Sequence, residues 1–180
     1  MNKTKGTIVG INGNMISVAF DGNIIQNEVG YAITGEDRLK SEVIKIQGNI
    51  AFMQVFEITK GLKIGDNVEF TGEMLSVQLG PGILGMVYDG LQNPLNELAE
   101  LHGFFLKRGV ILDALDFNKK WEFTPTAKKG DTVTGGSILG HVKEGIFKHK
   151  IFVPFDYQGN FTVKSIVDKD SYKVDQVIAT

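Results

Sequence analysis

The sequence predicts a mainly β protein, in which a small closed N-terminal β-barrel and a second β-rich module of barrel-sandwich, carrier-like type are joined by a short helix. Glycine contributes 22 of the 180 residues and proline only 4, a balance that favours many tight turns between short strands. Apolar residues alternate with polar ones along most of the chain, as they do in half-buried strands. A helical period replaces this alternation near residues 91–102.

The first module is predicted from the alternation over residues 5–79. Ile16, Val18 and Phe20 would share one face of a strand, with small side chains on the other face. Further strands are predicted in three segments: 42–46, 51–56 and 75–79. Dipeptides suited to positive φ predict hairpin tips at three places: Asn12-Gly13, Asp21-Gly22 and Gly48-Asn49. We expect about six or seven short strands here, closed into a barrel so that few edges stay exposed.

The strand over residues 51–56 is apolar on both faces. Phe52 and Phe56 flank Gln54 on one face, while Met53 and Val55 lie on the other. One interpretation places one face in the barrel and the other under a loop. The alternative is a contact between subunits. We favour the first, because a single strand pattern is ambiguous.

The one predicted helix begins at Asn93-Pro94, with Asn93 as its N-cap and Pro94 in its first turn. Leucines follow at helical spacing: Leu95, Leu98 and Leu101. Gly103 is placed to end the helix.

From Phe104 onward the pattern indicates strands again. Ile64-Gly65-Asp66 and Lys129-Gly130-Asp131 are similar and predict the same turn in both modules. Strands are predicted in three segments: 137–139, 150–153 and 160–163. We therefore expect three regions: a barrel over 1–74, a connector with a Gly-Pro-Gly turn and the helix over 75–109, and a β module over 110–180.

Motifs for catalysis or cofactor binding are weak. Residues 80–85 match G-x-G-x-x-G, but no alternation of strands and helices follows, so a rigid chain reversal is favoured over a dinucleotide site. The sequence has no Gly-Lys dipeptide and therefore does not contain the standard phosphate-loop motif. Cysteine is absent, which excludes thiol nucleophiles and Cys-ligated metals. No G-x-S-x-G or paired-carboxylate pattern is present.

Histidines number three. His141, Glu144 and His149 could line one region, but their spacing fits no standard metal signature. On the two arms of a hairpin they would be largely solvated, so surface histidines are favoured. We therefore predict no catalytic, cofactor-binding or metal-ligating residue in this chain.

Charge and hydropathy narrow the partners. The net charge is -2, which offers no large basic field for nucleic acid. The sequence contains no run of about 18 apolar residues, the length needed to span a membrane. The first residues lack the apolar core of a signal peptide. We expect a cytoplasmic protein.

Residues 129–139 look like the first half of a biotinyl or lipoyl carrier domain, and residues 151–161 like the second half. Such domains present a modified lysine, after Asp or Met, at the hairpin tip between the halves. Here the intervening residues 143–150 contain no such pair, and Asp168-Lys169 comes too late. A carrier module remains the alternative function, with its attachment site missing.

Six segments combine into a more specific pattern: 41–46, 54–62, 75–84, 88–95, 121–125 and 149–154. Together they resemble the N-terminal part of the catalytic A subunit (alpha chain) of rotary V-type or A-type ATPases and ATP synthases. The resemblance covers nearly the whole chain. Asn93 stands where that family usually has arginine before Pro-Leu, and residues 11–18 follow its pattern loosely.

The resemblance implies a structural and assembly role. In the family, the N-terminal barrel joins those of alternating A and B subunits in a hexameric ring, and the bulge, here 110–180, projects towards peripheral stalk subunits. The phosphate loop that binds MgATP lies further along the family's chain. This chain would then be a non-catalytic piece of a longer enzyme that couples ATP hydrolysis or synthesis to proton or sodium transport, peripheral on the membrane.

Overall fold

A computed structural model describes residues 4–103 and 108–180. These residues form two compact units, one drawn from 4–77, 96–103 and 108–112 and the other from 78–95 and 113–180. The strand character predicted from Phe104 onward lies outside the described residues at 104–107, and it is wrong for residues 108–119, which contain no strand.

The first unit is a closed antiparallel β-barrel, as the sequence predicts. Its strands in chain order are β1 (Lys5–Asn12), β2 (Met15–Asp21), β3 (Glu28–Thr34), β4 (Asp37–Gln47), β5 (Ile50–Val55) and β6 (Asn67–Met74). Neighbours around the barrel follow the order β1-β2-β5-β4-β3-β6. Pairing of β1 with β6 closes the ring, so that no strand described in this unit is left as a free edge.

The barrel interior is filled by one apolar cluster. Val18, Leu39 and Phe70 are fully buried in it. Met53 and Val55 on β5 also point inward, while Phe52 is only partly buried, which confirms the expected inward face of that strand. Close packing explains a glycine here, because a Cβ on Gly6 would lie 2.5 Å from Val18 Cγ1.

Two of the three predicted hairpin tips are confirmed. Gly13 and Gly48 have φ of +60° and +59° and lie between directly paired strands. Asp21-Gly22 is not a hairpin tip, because β2 pairs with β1 and β5 rather than with the next strand, β3. The chain after Gly22 instead crosses to another part of the barrel, which a local dipeptide signal cannot reveal.

The strand predicted over residues 75–79 is wrong. β6 ends at Met74, and Val77 and Leu79 are largely exposed. The Gln78 backbone is held by a side chain instead of a strand: its N–H donates to Gln92 Oε1 at 2.6 Å, and Gln92 Nε2 donates to its carbonyl at 2.7 Å. One amide side chain therefore satisfies the groups that a neighbouring strand would have paired.

The predicted helix is present as α1 (Leu95–His102), beginning directly after Pro94. Of its three leucines only Leu98 is fully buried, and Leu101 is exposed. Gly103 ends the helix as expected, with φ of +67° and its N–H donating to the Ala99 carbonyl at 2.8 Å.

The second unit is an open, two-sheet arrangement. Its strands are β7 (Lys120–Pro125), β8 (Thr132–Val133), β9 (Ile138–Glu144), β10 (Phe147–Phe152), β11 (Phe161–Thr162) and β12 (Asp170–Lys173). The larger sheet has the order β10-β9-β7-β12, and β11 pairs with β8. Its core forms two small clusters, one around Phe123 and one around Val133. The strands predicted at 137–139, 150–153 and 160–163 fall within or beside β9, β10 and β11.

The recurring turn predicted from sequence has the following geometry in the barrel. Asp66 Oδ2 accepts from the Lys63 N–H at 2.8 Å, and the Asp66 N–H donates back to the Lys63 carbonyl at 3.1 Å. Gly65 supplies φ of +99°. The turn joins β1 through two backbone hydrogen bonds with Ile8, at 2.8 and 2.9 Å.

The second unit repeats this turn. Asp131 Oδ2 accepts from the Lys128 N–H at 2.7 Å, and its N–H donates to the Lys128 carbonyl at 3.1 Å. Gly130 has φ of +94°, and two backbone bonds of 2.9 Å join the turn to Val163. The same four-residue turn therefore comes directly before a strand in each unit.

Candidate functional site

The Gly-Pro-Gly segment is a chain reversal rather than the start of a dinucleotide site. Gly82 and Gly85 have φ of +111° and +80°, conformations that suit glycine. No helix follows within residues 86–94, whereas a dinucleotide fingerprint opens one. The loop nevertheless presents backbone N–H groups in the manner of an anion-binding turn.

The anion in this loop is the protein's own Glu144. Its Oε1 accepts from the Gly82 N–H at 2.6 Å and from the Leu84 N–H at 3.1 Å. Its Oε2 lies 2.7 Å from Nδ1 of His149. Glu144 sits at the end of β9 and His149 on the paired strand β10, so the hairpin and the loop meet at this carboxylate.

Several opposing effects set the pKa of Glu144. Burial, which leaves 7% of the side chain exposed, favours the neutral acid and acts to raise the pKa. Hydrogen bonds from the Gly82 N–H, from His149 and from the Leu84 N–H act in the other direction and prevail, so that the pKa lies below its usual value. The carboxylate is therefore held ionised, as a structural anion.

The predicted grouping of His141, Glu144 and His149 is only half present. Glu144 and His149 pair. In the register of the hairpin, His149 lies opposite Val142, so these two side chains share a face. His141 is next to Val142 in β9, and its side chain therefore projects from the opposite face of the sheet. The expectation of a solvated histidine is wrong for His149, of which 22% is exposed. Within 4–103 and 108–180, no three metal-ligating side chains converge.

Glu144 is not a free carboxylate. Its Oε1 is engaged by the Gly82 and Leu84 N–H groups and its Oε2 by His149. The geometry of this site joins a loop to a hairpin, across about 60 residues of sequence. Sequence reasoning missed this pairing because nothing local in residues 80–85 or around Glu144 specifies it.

A small cavity lies in the same unit. It measures about 100 Å³ and is lined mainly by apolar side chains, including Phe123, Val142 and Tyr172. Trp121, the only tryptophan of the chain, also lines it, and its buried Nε1 has no hydrogen-bond partner. A water could occupy such a space, but a single donor offers it fewer partners than buried waters usually have.

The barrel unit has its own charged cluster, at residues 108 and 109. The Arg108 guanidinium pairs with Asp37 at 2.5 Å and also donates to the Lys60 carbonyl. The Gly109 N–H donates to Glu57 Oε2 at 2.7 Å. These bonds attach residues 108–109 to the barrel rather than leaving charges free for a ligand.

No helix in the part of the chain that the structure describes is long and apolar enough to cross a membrane.

Two family models match the chain, one in each unit. Residues 8–72 match the beta-barrel domain of the ATP synthase alpha/beta family. Residues 112–180 match the ATP synthase alpha/beta subunit barrel-sandwich domain.

Curated relatives cover both units. The chain is 60% identical over 179 residues to the V-type ATP synthase alpha chain of Treponema denticola, across 99% of this chain and 30% of that protein. It is 52% identical to V-type ATP synthase alpha chain 1 of Treponema pallidum, with coverage of 99% and 30%. It is 49% identical to the V-type ATP synthase alpha chain of Borrelia garinii, with coverage of 98% and 31%. The chain thus spans about a third of the length of these relatives.

Proposed function

The chain belongs to the ATP synthase alpha/beta family as the N-terminal region of a V-type alpha chain, and from this we propose that it is a non-catalytic, structural and assembly part of a rotary ATPase or ATP synthase. The whole protein would bind MgATP and couple its hydrolysis or synthesis to proton or sodium transport. The two units of this chain would supply contacts between subunits rather than chemistry.

The observation that carries the proposal is the closed barrel over β1–β6, which coincides with the family's beta-barrel domain. Splaying a closed barrel breaks ladder hydrogen bonds and core packing together. Such a unit is well suited to a ring that experiences torque. We propose that it packs beside the barrels of B subunits and of further A subunits in a hexameric ring.

The second unit would have a different role. As the barrel-sandwich domain over 112–180, it would form the bulge that reaches peripheral stalk subunits. The assembly would be cytoplasmic and peripheral on the membrane, with the nucleotide site in parts of the longer relatives that this chain does not match.

Mixing the chain with the purified B protein of the same ATPase, followed by size-exclusion chromatography with light scattering, tests the ring contact. We expect co-elution at the summed mass. Phe70→Ala, which removes a fully buried side chain of the barrel, should abolish co-elution. Phe123→Ala, the matched change in the second unit, should preserve it. Separate elution of the unmodified proteins would contradict the proposal.

The carrier alternative remains a prediction. Residues 143–150 lie in the β9–β10 hairpin, with Gly145 and Ile146 at its tip. Intact mass after expression in a host that attaches biotin and lipoate distinguishes the two functions. An unmodified mass is expected for the assembly role, and a biotinyl or lipoyl increment would establish the carrier.

A further inference from the structure

The outer face of the β9–β10 hairpin carries an unusual arrangement of charge. In its register Lys148 lies directly opposite Lys143, and Lys150 lies directly opposite His141. All three lysines are exposed. Like charges placed directly opposite each other across two strands are destabilising, so this face opposes the stability of the hairpin that carries it.

Protection of the sheet edge explains only part of this pattern. β10 is an edge strand of the larger sheet, and lysines on edge strands commonly prevent pairing with other chains. That accounts for Lys148 and Lys150. Lys143 and His141 lie on β9, which is paired on both sides, so no edge needs their charge.

The neighbouring carboxylate does not neutralise the face. Glu122 on β7 lies beside Lys143 and helps to line a shallow hollow with it. However, Glu122 Oε1 is paired with Lys169 Nζ at 2.8 Å. Lys143 also interacts electrostatically with Glu122, so this one carboxylate is shared by two lysines and positive charge on the face remains in excess.

Apolar side chains stand directly beside these cations. Ile146 at the hairpin tip is 92% exposed and Phe147 is 58% exposed, and both line the same hollow as Lys143 and Lys148. Exposed apolar groups flanked by charge are typical of interaction surfaces. A partner for this surface needs anionic groups and apolar side chains close together.

We propose that a surface formed by His141, Lys143, Lys148 and Lys150 on one face of the hairpin, with Ile146 and Phe147 at and beside its tip, is a docking surface for a carboxylate-rich, amphipathic polypeptide segment of another protein. Glutamate and aspartate would neutralise the opposed lysines, and an apolar side chain would cover the hairpin tip. The face has no arginine, the residue preferred for bidentate phosphate contacts, which favours carboxylates over nucleic acid or phospholipid. The inference deepens the proposed function, on which it rests, by giving the chemistry of the surface in the second unit.

The proposal is tested with a synthetic amphipathic helical peptide of glutamate and leucine. Its binding to the whole chain is measured by calorimetry at low and at high salt. We expect saturable binding that weakens as salt rises, and weakening by about tenfold or more in the double variant Lys143→Glu/Lys148→Glu. The matched control is Lys128→Glu/Lys129→Glu, which reverses two exposed lysines outside the hairpin and should bind as the unmodified chain does.

Other outcomes overturn the inference. They are an unchanged affinity in the hairpin variant, an equal loss in the control, or binding to phosphatidylserine vesicles or a DNA oligonucleotide without binding to the peptide. Co-elution with the B protein, which depends on the barrel, is measured on the same variants. If co-elution persists while peptide binding is absent, the docking inference fails and the assembly role stands.

A second measurement uses the chain alone. Lys148→Glu replaces a cross-strand repulsion with an attraction, so its melting temperature should rise while peptide binding falls. A melting temperature that stays level or falls would show that the opposed lysines carry no cost, and the inference would lose its basis.

Discussion

The two units of this chain use the same turn but differ in what they leave exposed. The barrel closes on itself around one core cluster. The second unit has an open sheet with edges at β10 and β12 and two smaller clusters. Among the described residues, the exposed aromatic side chains all lie in the second unit: Phe147, Phe152, Phe155, Tyr157 and Phe161.

This difference separates a unit whose packing is complete from a unit that leaves apolar and charged groups exposed. A closed barrel satisfies its own backbone groups, so its packing can be complete without a partner. An open sheet with exposed aromatic residues and opposed lysines bears features whose cost another surface can offset. We therefore regard the barrel as the unit whose fold is complete by itself, and the second unit as the one with more exposed surface for a partner to cover.

The largest expected effect is loss of the barrel core. Phe70 is fully buried, so Phe70→Ala should lower the free energy of unfolding by about 3–5 kcal/mol, from lost burial and the cavity left behind. Urea denaturation followed by circular dichroism measures this. Phe161→Ala, which removes an exposed ring of the second unit, is the control and should change stability little. Equal losses in both would remove the distinction between the units.

A smaller effect is expected from overfilling the second unit. A Cβ on Gly140 would lie 2.4 Å from the Phe123 ring, so Gly140→Ala should cost about 1–3 kcal/mol. Gly10→Ala in the barrel is matched, because its Cβ would meet Ser17 at an ordinary 3.5 Å. Thermal unfolding of the pair tests this, and a tolerated Gly140→Ala would mean that the second unit packs more loosely around Phe123 than these distances indicate.

Removing the buried carboxylate should cost about 1–3 kcal/mol, since Glu144→Ala leaves the Gly82 and Leu84 N–H groups without their acceptor. The pKa of Glu144 is lowered in the folded state. Its contribution to stability is therefore complete above the unfolded value of 4.5 and is lost as the pH falls through the lower folded value.

The predicted loss of stability in acid is tested by measuring the free energy of unfolding as a function of pH, for the unmodified chain and for Glu144→Gln. The amide keeps an acceptor for the loop but cannot ionise, so its stability should fall less steeply in acid. A steeper fall than in the unmodified chain would contradict the assignment of Glu144 as an ionised structural anion.

The smallest effects are expected at the shared turn. Asp66→Ala and Asp131→Ala each remove one side-chain acceptor of a backbone N–H at 2.8 and 2.7 Å. Each should lose about 1 kcal/mol of stability, to a similar extent in both units. Parallel denaturation curves check this, and a clear difference would show that the two turns are equivalent in geometry only.

Local patterns predicted much of the fold. The inward residues of β2 and β5, the hairpin glycines Gly13 and Gly48, and the end of α1 at Gly103 all depend on neighbours in sequence. The closed barrel also followed from its short strands. These are features for which period and turn chemistry are sufficient.

The remaining features depend on residues distant in sequence. The alternation over 75–79 suggested a strand, but the Gln78 backbone N–H and carbonyl are hydrogen-bonded to the Gln92 side chain instead of to a neighbouring strand. Asp21-Gly22 looked like a hairpin tip, but the strand order of the barrel separates β2 from β3. Glu144 showed no sign of its role, because its donors Gly82 and Leu84 lie about 60 residues away. Such pairings arise only when the whole chain has folded.

Our central claim is that this chain contributes assembly surfaces and not a nucleotide site. Isothermal titration calorimetry of the chain with MgATP tests it most directly. We predict no saturable heat of binding up to millimolar nucleotide, while the same sample still co-elutes with the B protein. Saturable, stoichiometric binding of MgATP to the chain would contradict the claim.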